Sequence, residues 1–172
     1  MMTGFSMYLL AWHFLIFLPA MAANGAPLVT GRLLRLRGKK THPVDGGRKF
    51  IDGKPLLGKS KTIEGAVAGI IVGTIVGLLI WVFADSYFIE AGFIGGLGAV
   101  LGDMIGSFIK RRFNVPPGHD FPVLDQLDFA VFAALLLWAL GVPLDPVYTL
   151  VMLPIIFVLH VSTNKLAAKT LP

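Results

Sequence analysis

Long apolar runs broken by short polar stretches organise this chain of 172 residues. Five of the runs are long enough to cross a hydrocarbon core, which takes roughly 17 to 25 helical residues. They fall near residues 5–23, 62–84, 88–109, 124–141 and 146–163. None alternates as a lipid-facing barrel strand would, so a helix is predicted for each. The pattern predicts an all-α integral membrane protein: a single domain over 1–172, with five transmembrane helices and two polar loops at about 24–61 and 110–123. In the first loop, Pro27, Gly31, Gly38, Pro43, Gly46 and Gly47 argue against long regular elements. A short amphipathic piece over Val29–Leu36 could lie along the interface.

Composition supports the bilayer as solvent. Hydrophobic residues make up 55% of the chain and charged residues 15%, against about a quarter charged in a soluble domain. The absence of cysteine excludes disulfides and thiolate metal sites.

Charge placement orients the helices. All 15 Lys and Arg fall on one side of the predicted topology: ten between Arg32 and Lys61, then Lys110, Arg111 and Arg112, then Lys165 and Lys169. The opposite connections hold Asp85, Glu90 and Asp145. The positive-inside rule makes the basic side cytoplasmic, with the N-terminus outside and the C-terminus inside. Ala20-Met21-Ala22 looks like a signal-peptide cleavage site, but no basic residue precedes the run and a dense basic segment follows it.

Glycine recurs at every fourth position in the second span (Gly65, Gly69, Gly73, Gly77) and in the third (Gly98, Gly102, Gly106). Such stripes let helix backbones approach closely in lipid, and they permit a homodimer without requiring one. In the third span the stripe runs beside Asp103, so packing and site-building are combined there.

Asp103 is the first candidate for chemistry. A carboxylate inside a membrane helix costs about 2.5–3.5 kcal/mol on insertion scales, so a functional role is its default explanation. Helical spacing puts Ser107, Lys110 and Arg111 on the same face; a helix-locking ion pair with Lys110 is the competing explanation. Asp125 and Asp128 follow at i and i+3 where the fourth span begins, a place its dipole favours acids in any case. Together the three acids suit Mg²⁺, with phosphate and water completing the shell. His119 sits in a turn where it could touch phosphate, while His13 and His160 are expected to be satisfied helix histidines.

Gly58 to Gly65, GKSKTIEG, forms a second constellation. Lys59, Ser60, Lys61 and Thr62 precede a helix start whose free amides can cradle an anion. Glu64 could orient Lys61 or a metal-bound water from the first turn. Gly53 to Ser60 fits the Walker pattern GxxxxGK[ST], but the strand–loop–helix setting is missing. Asn24 and Asp45, with the Gly46-Gly47 pair, are softer candidates. The basic loop lacks interleaved aromatics, so no nucleic-acid partner is expected.

At these residues the chain resembles the phosphatidate cytidylyltransferase superfamily, and more closely its short archaeal branch, the CDP-archaeol synthases. Ser107, Lys110 and Arg111, then Pro117 and His119, then Asp125 and Asp128, stand at the positions of that superfamily's linked motifs, and Lys61-Thr62-Ile63-Glu64-Gly65 is similar to its upstream element. Gln126 and the pair Asp120-Phe121 depart from the bacterial pattern. The compact length, Asn24 and the Pro43-Val44-Asp45-Gly46-Gly47 loop look like the archaeal branch.

The resemblance implies transfer of CMP from CTP to an unsaturated isoprenoid ether-lipid phosphate, at the cytoplasmic face of the cell membrane and among its lipids. It fits Asp103, Asp125 and Asp128 as Mg²⁺ ligands. Lys59, Lys61, Thr62, Lys110 and Arg111 would hold phosphates, Asn24 and the Asp45 loop would close over the nucleotide, and Glu64 would support the site. The rival class is a non-catalytic membrane scaffold or ion-pathway protein using Asp103 as an intramembrane polar site. A CDP-alcohol phosphotransferase is disfavoured, because its D-G-x2-A-R spacing is missing.

Overall fold

The computed structural model describes residues 6–116, 119, 121 and 123–170. It contains five helices: α1 (Met7–Leu36), α2 (Ile63–Trp81), α3 (Tyr87–Arg112), α4 (Leu124–Ala139) and α5 (Pro146–Thr170). Among the described residues there is no strand, only two isolated bridges in the first loop, Pro43 with Thr62 and Lys49 with Pro55. Four helices are long and apolar enough to cross a membrane. The expected fifth span, α4, has 16 residues, about 24 Å at 1.5 Å per residue, and falls short of a core about 30 Å thick.

The largest departure from expectation is α1, whose 30 residues continue through Asn24, Gly25 and Pro27. The first loop therefore begins near residue 37, not 24, and Val29–Leu36 is the last part of a continuous helix. Tertiary contact overrides the local breakers. Pro27 cannot donate to the Ala23 carbonyl, and α2 packs its Gly69 there: a Cβ at Gly69 would stand 3.0 Å from that oxygen. One turn on, Gly65 faces Pro27 itself.

Helix α1 lies at the centre. Its Phe17, Ala20 and Ala23 pack with Ala99 of α3, Phe129, Ala130 and Ala133 of α4, and Met152 and Ile156 of α5. His13 is a buried structural residue, as expected: its Nδ1 meets the Leu9 carbonyl at 2.8 Å, and its Nε2 accepts from the Asp145 amide at 3.0 Å.

The glycine stripes are used within the chain. Gly73 and Gly77 of α2 lie against Gly96 and Gly92 of α3. On its other flank, α3 brings Gly98 against the Ala133 backbone, Gly102 against Asp128 and Phe132, and Gly106 against the Asp128 side chain. With little hydrophobic drive between helices in lipid, such close backbone approach supplies the packing.

Substitutions should separate these positions. A Cβ at Gly77 would overlap the backbone of Gly92 and Phe88, whereas at Gly95 its nearest neighbours are side-chain atoms 3.7 and 3.9 Å away. Gly77→Ala should therefore destabilise by about 1–3 kcal/mol, and Gly95→Ala should be neutral or mildly stabilising through helix propensity. Thermal unfolding of the two variants in detergent measures the contrast.

Candidate active site

At the end of the bundle where α1 and α3 finish and α2 and α4 begin, charged side chains meet. Lys61, just before α2, places Nζ 2.6 Å from both carboxylate oxygens of Asp103 on α3. Lys110, near the end of α3, donates to Asp125 Oδ2 at 2.6 Å, and the same oxygen accepts from the Phe121 amide at 2.7 Å. Asp128 is only 8% exposed and has no ion pair among the described residues. Its Oδ1 accepts from the Phe129 amide, and the charges of Asp103, Lys61 and Asp125 are near enough to act on it. Ser107 and Arg111 are buried on α3; Arg111 donates to the Val115 carbonyl at 2.6 Å and interacts with the charge of Asp125.

A cavity of about 30 Å³ adjoins Lys61 and Asp103, lined also by Asn24, Ser60, Thr62 and Met104. That is room for a water-sized group, far less than a nucleoside triphosphate needs. Asn24 lines it from the middle of α1, and its Nδ2 lies 3.4 Å from His160 Nε2 on α5. The α1 extension is what brings Asn24 here.

Other expected residues have structural partners. Thr62 is the N-cap of α2, accepting from the Gly65 amide at 3.2 Å. Glu64 accepts from the His42 amide at 3.0 Å and pairs with the His42 ring, tying the loop to α2 rather than contacting Lys61. Asp45, only 7% exposed, holds the loop from inside: its Oδ2 accepts from the Leu57 and Gly58 amides at 2.9 and 3.1 Å, its Oδ1 from Gly47 at 2.8 Å. Burial alone would raise the Asp45 carboxyl, but these three amide donors outweigh it and hold the group below its ordinary value. Lys59 and His119 are exposed. Pro117, Gly118 and Asp120 of the second-loop turn lie outside the described residues.

The three acids converge, but not as a ready ligand set. Among the described residues no three His, Cys, Asp or Glu side chains stand in a metal-holding arrangement. Two of the three expected ligands are bound to lysines instead. The donor chemistry still fits a hard divalent cation, since carboxylates on α3 and α4 are near enough to act on a buried Asp128 that has no ion pair among the described residues.

Comparison with known proteins identifies the family. The family described as CarS-like, CDP-archaeol synthase, matches residues 6–171. The chain belongs to the CDP-archaeol synthase family. It is similar to the CDP-archaeol synthase of Hyperthermus butylicus, at 43% identity over 89% of this chain and 88% of that protein. The Staphylothermus marinus CDP-archaeol synthase is 39% identical over 93% of this chain and 89% of its own length. A solved structure, described as an intramembrane enzyme for archaeal membrane lipids biosynthesis, superposes with a TM-score of 0.81 at 36% identity, covering 90% of this chain and 94% of that one.

The sequence patterns pointed to Lys110 and Arg111 but gave no role to Arg112, Asp52 or His42, all of which fasten the first loop. Asp52 and Lys54, of opposite charge and close to Phe50, were the available signal. In this member of the CDP-archaeol synthase family, Gly106 is a sharper probe of the site than any charged residue. A Cβ there would overlap Asp128 Oδ2, so Gly106→Ala should rotate that carboxylate away without disturbing α3. Displacing a reacting group by about 1 Å can cost about 100-fold. Turnover should fall by that order while thermal unfolding shifts little; an unchanged rate would remove Asp128 from the site.

Proposed function

We propose that this chain is a membrane cytidylyltransferase that transfers CMP from CTP to an isoprenoid ether-lipid phosphate, a digeranylgeranylglyceryl phosphate, forming CDP-archaeol and pyrophosphate. Family membership supports the reaction class. The observation that carries the residue assignment is the meeting of Asp103, Asp125 and Asp128 with Lys61 and Lys110 at one bundle end. That end carries the basic loops, so the positive-inside rule places it in the cytoplasm, where CTP is met.

An oxygen of the lipid phosphate attacks the α-phosphorus of CTP. The new P–O bond forms as the bond from that phosphorus to the α,β-bridging oxygen breaks, and pyrophosphate leaves with the electron pair. No protein nucleophile is needed; positioning and charge stabilisation suffice. Asp103, Asp125 and Asp128 are the residues that would hold Mg²⁺, which when bound neutralises phosphate charge.

Lys61 and Lys110 have two stations. Before substrate arrives each neutralises a carboxylate, at 2.6 Å in both cases. On binding, each turns to phosphate oxygens, releasing Asp103 and Asp125 and enlarging the small cavity. Buried Arg111 keeps a fixed positive charge beside them, and exposed Lys59 reaches the outer phosphates. In the segment before α2 the Lys61 amide is already donated to the Gly58 carbonyl, which leaves the Ser60 and Thr62 amides for the anion.

Labelled CTP supplied with ether or ester lipid phosphates tests this reading. Label should enter the CDP-ether lipid, Asp128→Asn should abolish the product while the protein stays folded, and EDTA should stop the reaction until Mg²⁺ is restored. An EDTA-resistant rate, or full turnover by the Asn variant, would overturn the metal assignment. No CTP binding at all would leave the scaffold reading standing.

A further inference from the structure

Three consecutive cations end α3, and at 3.6 residues per turn they leave the helix about 100° apart. Lys110 and Arg111 turn into the site, but Arg112 does not. Its guanidinium lies over two rings, 4.9 Å from the centroid of Phe50 in the first loop and 4.6 Å from that of Phe108 on α3. Those rings meet edge to face at 5.2 Å. Arg112 Nη1 donates to Asp52 Oδ1 at 3.0 Å, and Nη2 donates to the Pro55 carbonyl. In return Lys54 Nζ donates to the Arg112 carbonyl at 2.7 Å, satisfying one of the unpaired carbonyls at the end of α3.

Apart from the Phe108 ring, which belongs to α3 itself, these contacts land on a single turn, residues 50–55. It is itself closed by Phe50 N–H to the Lys54 carbonyl at 2.8 Å and Gly53 N–H to the Phe50 carbonyl at 2.9 Å. Among the described residues, the hydrogen bonds and the ion pair from this turn to a helix all end on Arg112. The other end of the loop is tied to the start of α2: Val44 N–H donates to the Lys61 carbonyl at 2.8 Å, and Ile63 N–H to the His42 carbonyl at 2.8 Å. Between the two anchors, Asp45 takes the amides of Leu57 and Gly58. The loop is thus a strap from α2 to the end of α3, with Lys59 between its fixed points and Lys61 at the α2 anchor.

From this we infer that Arg112 is a positioning residue for the nucleotide. It touches no substrate; it holds the strap in place, so that exposed Lys59 and the Asp103-paired Lys61 are both in position before CTP arrives. The inference rests on the function proposed above. Its physical content is preorganisation: a loop ordered in advance does not charge its ordering entropy against binding. Nucleotide is then accommodated by lysine side chains leaving carboxylates, while the loop backbone keeps its place. The two cation–π contacts hold the guanidinium in place, and the planar fork supplies two directed donors that a lysine cannot reproduce.

The test uses the full chain in detergent or nanodiscs. Arg112→Gln should raise KM for CTP about tenfold or more, a loss of about 1.4 kcal/mol per factor of ten. It should leave kcat at saturating CTP within about threefold and KM for the lipid phosphate unchanged. Arg112→Lys should behave like Gln rather than like wild type, because charge alone does not rebuild the stack and fork. Hydrogen exchange across residues 48–58 should speed up in both variants while the amides of α2 and α3 stay as protected as before.

An unchanged KM for CTP with unchanged exchange would overturn the inference. So would a fall in kcat at constant KM, which would put Arg112 on the reacting groups. Equal losses for both substrates with a lower unfolding temperature would mean support of the fold alone. Should Arg112→Gln fail to fold, Asp52→Asn removes one partner of the clasp and must show the same KM split in smaller measure. If wild-type protein turned over no CTP, the proposed function would fail, and the exchange comparison alone would still decide whether Arg112 holds the strap.

Discussion

Close approach of α3 to its two neighbours is the constraint on which the rest depends. Glycines on one flank admit α2, with Gly92 and Gly96 against Gly77 and Gly73, and glycines on the other admit α4 at Gly98, Gly102 and Gly106. Larger residues would hold the helices apart, and the separation would be felt where Asp128 of α4 reaches across to α3. The stripe is therefore more than packing material. At its outer turns it fixes backbone distance, and at Gly106 it makes the space a carboxylate occupies.

That geometry creates an electrostatic problem, and the structure carries its solution. Acids gathered at a membrane edge are costly without countercharge. Lys61 and Lys110 neutralise Asp103 and Asp125, leaving Asp128 as the buried acid without an ion pair among the described residues. The same lysines are the groups a triphosphate would recruit. In the proposed function, substrate binding exchanges the partners of these cations without importing new ones. The first loop, knitted by Asp45 and clasped by Arg112, keeps that exchange local.

Much of this was legible in the sequence because a bilayer simplifies the grammar. Four of the five apolar runs became helices long and apolar enough to span, and the glycine period announced the tight contacts. The spacing of Asp103, Lys110, Asp125 and Asp128 singled out residues that the structure brings to one end of the bundle. What escaped was set by contacts between distant residues. Pro27 and Gly31 read as breakers, yet α1 continues through both, and α2 packs against the carbonyl that Pro27 leaves free. Asp45 and Glu64 read as site acids, but their nearest donors are loop amides and His42. Arg112 read as one more basic residue, since nothing local reveals that Phe50 and Asp52 will fold back onto the end of α3.

The central claim is that Asp103, Asp125 and Asp128 form one metal and phosphate site once their lysines turn away. Electron–nuclear double resonance on protein loaded with Mn²⁺ in place of Mg²⁺, with and without CTP, tests it most directly. The account predicts weak Mn²⁺ binding alone, and tight binding with resolved ³¹P couplings when CTP is added. It predicts that Asp103→Asn and Asp125→Asn each weaken that ternary complex. Mn²⁺ bound equally well without nucleotide, or a CTP complex with no ³¹P coupling and no response to either substitution, would contradict it.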